Sequence, residues 1–150
     1  MTTHTDTFTY TRDIALSPAR LWPLLTNADM RAIWGAPDQD VTLETLSSDV
    51  RVGGTDHQRC GPADAPDFES YTRWYNLNEP TDAVYTETIE AGGMALGASL
   101  VTLQVTPNAS GATLCVTVAV SSFVGADMIG EFKGGWDGSM ANLDSLIARQ

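Results

Sequence analysis

Residues 128–147 read MIGEFKGGWDGSMANLDSLI, and their apolar spacing decides the fold. Met128, Phe132, Trp136, Met140, Leu143 and Ile147 recur at steps of four, four, four, three and four, which puts them on one face of an α-helix. Asp127 and Glu131 near its start and Arg149 at its end suit the helix dipole. Such a helix must lay its stripe on another element, and the sequence before it supplies a sheet. Val101, Leu103 and Val105 alternate along one strand; Leu114, Val116, Val118 and Val120 alternate along the next. Both sets share a face only if Val105 lies opposite Leu114, because a one-residue slip would set valines against threonines. That register leaves a loop over residues 108–111, with Gly111 available for a left-handed position.

Outward from this pair, strand-like segments at 41–46, 51–60, 68–77, 83–90, 99–106 and 112–121 follow one another across short turn-rich stretches, the pattern of an antiparallel meander. Gly92-Gly93 and Gly97 read as a hairpin turn, since they lack the lysine and helix context of a phosphate loop. Phe8, Tyr10, Ile14 and Leu16 mark a first strand. Ser17-Pro18 is then a helix cap followed by proline in the first turn. Pro23 lies inside that helix and removes a backbone donor, so it should shorten or kink it. A second short helical piece, 29–34, ends at Gly35-Ala36-Pro37. The expected fold is α+β: a curved antiparallel sheet of about six to seven strands around a long C-terminal helix, with two short helices after the first strand. No repeat or long linker interrupts residues 1–150, which are expected to form a single domain with 1–6 as a flexible tail.

Composition narrows the partners. Nineteen acidic residues face eight basic ones, for a net charge of −11. The bases (Lys133 and seven scattered arginines) form no stripe that could neutralise phosphates, so nucleic acid is not an expected partner. No apolar run is long enough to span a membrane, so no membrane insertion is expected. Residues 1–6 are polar and do not read as a secretory leader; the expected compartment is the cytoplasm. Cys60 and Cys115 fit no metal or redox spacing and are expected as two reduced thiols, at least one of them in the core.

The chain resembles the START-like (SRPBCC) superfamily, also called the helix-grip or birch-pollen-allergen-like fold. Within it, the chain is most similar to the branch named for the activator of heat-shock-protein ATPase. The resemblance runs from about Phe8 to the C-terminus. It is carried by Arg12-Asp13-Ile14 before Ser17-Pro18-Ala19-Arg20-Leu21-Trp22, by Leu25-Thr26-Asn27 leading to Trp34-Gly35, and by Asp49-Val50-Arg51-Val52-Gly53-Gly54. Asn78-Glu79-Pro80 with Tyr85-Thr86-Glu87, and Gly135-Trp136 with Leu143 and Leu146, complete it. The resemblance implies a cavity between sheet and long helix that takes lipids, steroids, polyketides or similar hydrophobic molecules. Some relatives are cyclases or aromatases. The eukaryotic ATPase activators carry a further N-terminal domain that contacts the chaperone, which this chain is too short to include.

The sequence offers little catalytic machinery. Two histidines, His4 and His57, cannot build a three-histidine metal site, and no HExxH, CxxC or GxSxG spacing occurs. No metal, cofactor or catalytic set is expected. His57 and Cys60 are three apart, so on a strand they face opposite sides. If the hairpin around 61–67 is symmetric, His57 lies opposite Tyr71 and Arg59 opposite Glu69. His57 and Tyr71 then either supply polar or acid/base groups to a ligand or stand on a solvated face, with Arg59–Glu69 as a surface ion pair. Arg12 shares parity with Phe8, Tyr10 and Ile14, and on an inward face it would need an acidic partner or an anionic ligand group. Gly125, Gly130, Gly134, Gly135 and Gly138 crowd the front of the long helix, where each interior glycine costs about 1 kcal/mol relative to alanine. One reading makes residues 123–135 a gate over the cavity; another, compatible with it, starts the helix only near Glu131 and leaves the rest as loop.

The expected cavity residues are Trp34, His57, Tyr71, Tyr85, Met128, Phe132 and Trp136. The first functional expectation is a carrier or sensor that binds a small hydrophobic molecule without catalysis. A cyclase- or hydrolase-like enzyme using the same cavity, and a protein-interaction module serving a chaperone or regulator, are the alternatives. A homodimer stays open.

Overall fold

The computed structural model describes residues 2–36, 40–62, 64 and 67–150. In chain order it contains β1 (His4–Ile14), α1 (Pro18–Thr26), α2 (Ala28–Trp34), β2 (Val41–Ser47), β3 (Thr55–Pro62), β4 (Phe68–Asn78), β5 (Asp82–Ala91), β6 (Met94–Asn108), β7 (Gly111–Ser122) and α3 (Asp127–Ala148). The strands form one seven-stranded sheet in the order β1-β7-β6-β5-β4-β3-β2, with every neighbouring pair antiparallel. Val105 lies opposite Leu114, as the alternation requires, and His57 lies opposite Tyr71 and Arg59 opposite Glu69, as a symmetric hairpin over 61–67 implies. The Pro37 that was to follow α2, and part of the turn over 61–67, lie outside the described residues.

Local chemistry accounts for the element ends. The Ser17 hydroxyl accepts from the Arg20 amide at 3.3 Å with Pro18 in the first turn, and α1 stops three residues after Pro23. The Asn27 side chain accepts from the amides of Asp29 and Met30 and so starts α2. Several boundaries differ from expectation. β1 begins at His4, inside the stretch expected as a tail, because its ladder with β7 continues to Ser122. β3 begins at Thr55 rather than 51, because residues 49–54 fold into a turn in which Gly54 donates to the Arg51 carbonyl and Gly53 to that of Trp74. The turn before β6 is Gly92-Gly93 alone, both at positive φ, and Gly97 lies within the strand opposite Ile89 and Ser122. The helix α3 already starts at Asp127, not near Glu131.

The inner face of the sheet changes character along its strands. One cross-strand row, Trp74–Tyr85–Val101–Val118–Phe8, is apolar and buried throughout. The next row in register is Asp56–Thr72–Glu87–Ser99, and beyond it stands Gln58–Ser70–Ile89–Gly97. The core therefore fills one end of the sheet, and polar groups appear toward the other. The apolar stripe of α3 divides the same way. Met140 and Leu143 are buried in the core, with Leu146 beside them and Ile147 partly buried against it, whereas Met128, Phe132 and Trp136 are only partly covered. Neither thiol belongs to the core: Cys115 falls between Leu114 and Val116 on the outer face, and Cys60 is half-buried, with no disulfide between them.

Candidate functional site

The front half of α3 crosses the polar end of the sheet without filling the space beneath it. A cavity of about 530 Å³ results, bounded by α2, the inner faces of β3–β6 and the α3 residues Met128, Glu131, Phe132, Gly135, Trp136 and Ser139. That volume lies within the range of small-molecule pockets, roughly 300–1,000 Å³. The helix is held across it by polar clasps at its middle. The Tyr10 hydroxyl donates to Asp137 at 2.7 Å, and Arg12 pairs with Asp144 at 3.1 Å. Ser139 donates to the Gly35 carbonyl at 3.0 Å, and Asn142 donates to that of Ala36. Arg12 thus finds the acidic partner that its inward parity demands, on the helix itself. Phe132 rests on Gly97, where a Cβ would stand 2.6 Å from its ring; close approach, not the turn, is what this glycine allows.

Of the seven residues expected at the cavity, Trp34, Tyr85, Met128, Phe132 and Trp136 line it. Trp34 is fixed by its indole N–H, which donates to the Leu24 carbonyl at 2.9 Å, and its ring lies 6.4 Å from that of Trp136. His57 and Tyr71 do not line it. On β3 and β4 the buried residues are Asp56, Gln58, Ser70, Thr72 and Trp74, so alternation turns His57 and Tyr71 to the opposite face. There their rings stack at 4.4 Å, and His57 Nε2 lies 3.0 Å from Glu69 Oε1. Glu69 therefore pairs with His57, a neighbour on the same face, rather than with Arg59 opposite it in register.

The polar groups that do face the cavity were not anticipated. Arg31, from α2, is buried and pairs with Asp56 at 2.5 Å. Asp56 also accepts from Ser48, from the Asp49 amide and from the Trp74 indole, so the buried charge is fully hydrogen-bonded. The Arg31 guanidinium lies 5.0 Å from the Trp74 ring centroid and 5.3 Å from that of Tyr85. Glu87 lines the cavity and receives one hydrogen bond, from the Ser70 hydroxyl at 3.3 Å. Burial raises its carboxyl above the ordinary range, while the Arg31 charge and the Ser70 bond pull the other way. Burial likewise pushes the Tyr85 hydroxyl up, so it stays neutral. The signal for Glu87 was present in the sequence: it shares parity with Ala83, Tyr85 and Ile89, a lone carboxylate on an inward set. Arg31 follows the same logic, lying three residues before Trp34 on a helical face.

Comparison with known proteins gives a consistent relationship. The profile of the family described as Activator of Hsp90 ATPase homolog 1-like protein matches residues 15–148. No curated protein matches the chain in sequence. Among solved structures, a protein from Rhizobium leguminosarum superposes with a TM-score of 0.84 at 19% identity, covering 99% of this chain and 98% of that one. A Rhizobium loti protein gives 0.82 at 23% identity, covering 97% and 99%. The AHSA1 protein from Silicibacter pomeroyi gives 0.74 at 17% identity, covering 95% and 98%. At these identities the structures establish likeness of fold.

Proposed function

Because the chain belongs to the Activator of Hsp90 ATPase homolog 1-like family, we propose that it acts as a single-domain carrier or sensor, binding one small, largely apolar molecule between sheet and C-terminal helix. The observation that carries this reading is the 530 Å³ space walled by Trp34, Tyr85, Phe132 and Trp136, left open where the rest of the same helix stripe packs tightly. Aromatic walls with a few inward polar groups are the usual make-up of a small-molecule site. A carrier needs such a pocket and no reactive constellation. The enzyme alternative through His57 and Tyr71 has little support, since both stand on the far face of the sheet.

Native mass spectrometry of protein purified without detergent, followed by extraction of any released molecule, tests the proposal. A stoichiometric hydrophobic adduct is the expected result. A bare protein mass that no fatty acid, sterol or aromatic polyketide shifts would sink it. The family description also brings a chaperone partner into view; an increase in Hsp90 ATPase rate on adding this protein would move the reading there.

A further inference from the structure

The charged residues whose side chains face the cavity, among the described residues, are Arg31, Glu87 and Glu131; Glu69 borders it from β4 with its side chain turned to His57 on the far face. The one cation is already committed. Arg31 donates to Asp56 at 2.5 Å and lies over the Trp74 and Tyr85 rings. Asp56 holds that guanidinium, Glu87 feels its charge without a bond to it, and Glu131 adds negative charge to the same lining. Glu131 is exposed on α3. Glu87 has only the Ser70 hydroxyl bonded to it, and no ion pair.

We infer that the ligand's polar end is a protonated amine: Glu87 anchors an organic ammonium whose apolar body fills the space among Trp34, Tyr85, Phe132 and Trp136. This inference rests on the ligand-binding reading above and names its chemical class. A carboxylic acid entering the same space would bring a further negative charge to a lining whose only cation holds Asp56. An ammonium gains in two ways. It pairs with a carboxylate away from bulk water, where charge–charge attraction is several times stronger than in solution. It also meets the electron-rich faces of aromatic rings. The net charge of −11 acts in the same sense, concentrating cations and repelling anions around the molecule.

Three probes with the same alkyl body separate the possibilities: octylamine, 1-octanol and octanoate, each titrated calorimetrically into the protein near neutral pH. Octylamine should bind about tenfold or more tighter than octanoate (1.4 kcal/mol), with 1-octanol between them. In Glu87→Gln the amine-to-alcohol affinity ratio, measured within that one variant, should fall toward one. Glu131→Gln, an exposed change with little folding risk, should lower the ratio by a smaller factor. Octanoate binding as tightly as octylamine overturns the inference, and so does an unchanged ratio in Glu87→Gln. If the alcohol binds and the amine has no advantage, only this inference fails. If none of the three binds, the cavity reading fails with it.

Discussion

Asp56 is fully buried and accepts four hydrogen bonds, from Arg31, the Trp74 indole, the Ser48 hydroxyl and the Asp49 amide. It ties α2, the turn before β3 and the centre of β4 to one point. In Asp56→Asn the remaining oxygen can still serve Ser48 and Asp49, but the new amide N–H groups would point at Arg31 and the Trp74 N–H, both donors. Removing one partner of a buried pair costs about 3–5 kcal/mol, and urea denaturation of Asp56→Asn should show a loss of that order. Glu87 behaves differently, because its charge has no such support. The groups that face it are Arg31 on α2, Ser70 on β4 and Tyr85 on its own strand, with Glu131 of α3 in the same cavity lining. Its folded pKa lies above its unfolded value, so the folded state holds the proton more tightly. The stability this gives is fully present below the ordinary carboxyl range and is lost as pH rises through the folded value. Glu87→Gln keeps an acceptor for Ser70 and removes the titration. The ligand-free variant should melt higher than the parent at neutral pH, and the difference should shrink as the buffer is made acidic. A difference independent of pH would assign the effect to packing instead.

Among the elements, the register between β6 and β7 was legible to the residue, because one inward set of valines and leucines can meet its neighbour in only one way, although β6 itself begins at Met94 rather than 99. A symmetric hairpin over 61–67 gave the His57–Tyr71 and Arg59–Glu69 pairings. It did not say which face was inward on β3, where Asp56, Gln58 and Cys60 face in and none is a strong apolar marker. That is why His57 and Tyr71 were expected at the cavity: register fixes partners, while facing needs an apolar set. The polar lining was legible only as inward parity, for a related reason. A carboxylate or guanidinium on an inward parity acquires its meaning from partners on other elements, as Arg31 does from Asp56 across 25 residues of sequence. For α3, periodicity gave the stripe but not the division between core and cavity. Its glycines bear on that division. A Cβ at Gly130 or Gly134 would meet nothing within 4 Å, so neither is required by packing, and both weaken the half of the helix that covers the cavity. Gly130→Ala with Gly134→Ala should raise stability by about 1 kcal/mol per site, a helix-propensity effect. If this half opens to admit ligand, the double variant should also release octylamine more slowly in stopped-flow displacement. Unchanged release with raised stability would leave the glycines without a part in ligand exchange.

At the scale of the whole molecule, the ion pairs and the charge excess make opposite demands. Arg12–Asp144, Arg31–Asp56, Arg51–Asp49 and Lys133–Asp137 engage four of the eight bases with carboxylates at 2.5–3.1 Å. Even with every base neutralising one acid, the net charge of −11 stands, and folding draws those carboxylates together. Net repulsion of this kind disfavours the compact state. Surface pairs each contribute about 0–1 kcal/mol and weaken in salt, while the buried Arg31–Asp56 pair is screened far less. Raising ionic strength therefore removes little attraction and much repulsion: at 0.1 M the screening length is about 10 Å, shorter than the distance between most acidic groups on a domain this size. The melting temperature should rise by several degrees from a low-salt buffer to one near physiological ionic strength, followed by calorimetry with sodium chloride. Octylamine affinity should fall over the same range, because the field that stabilises less in salt also attracts the cation less. A melting temperature that drops with salt would mean that the surface pairs, and not the excess acid, dominate the electrostatics of this fold.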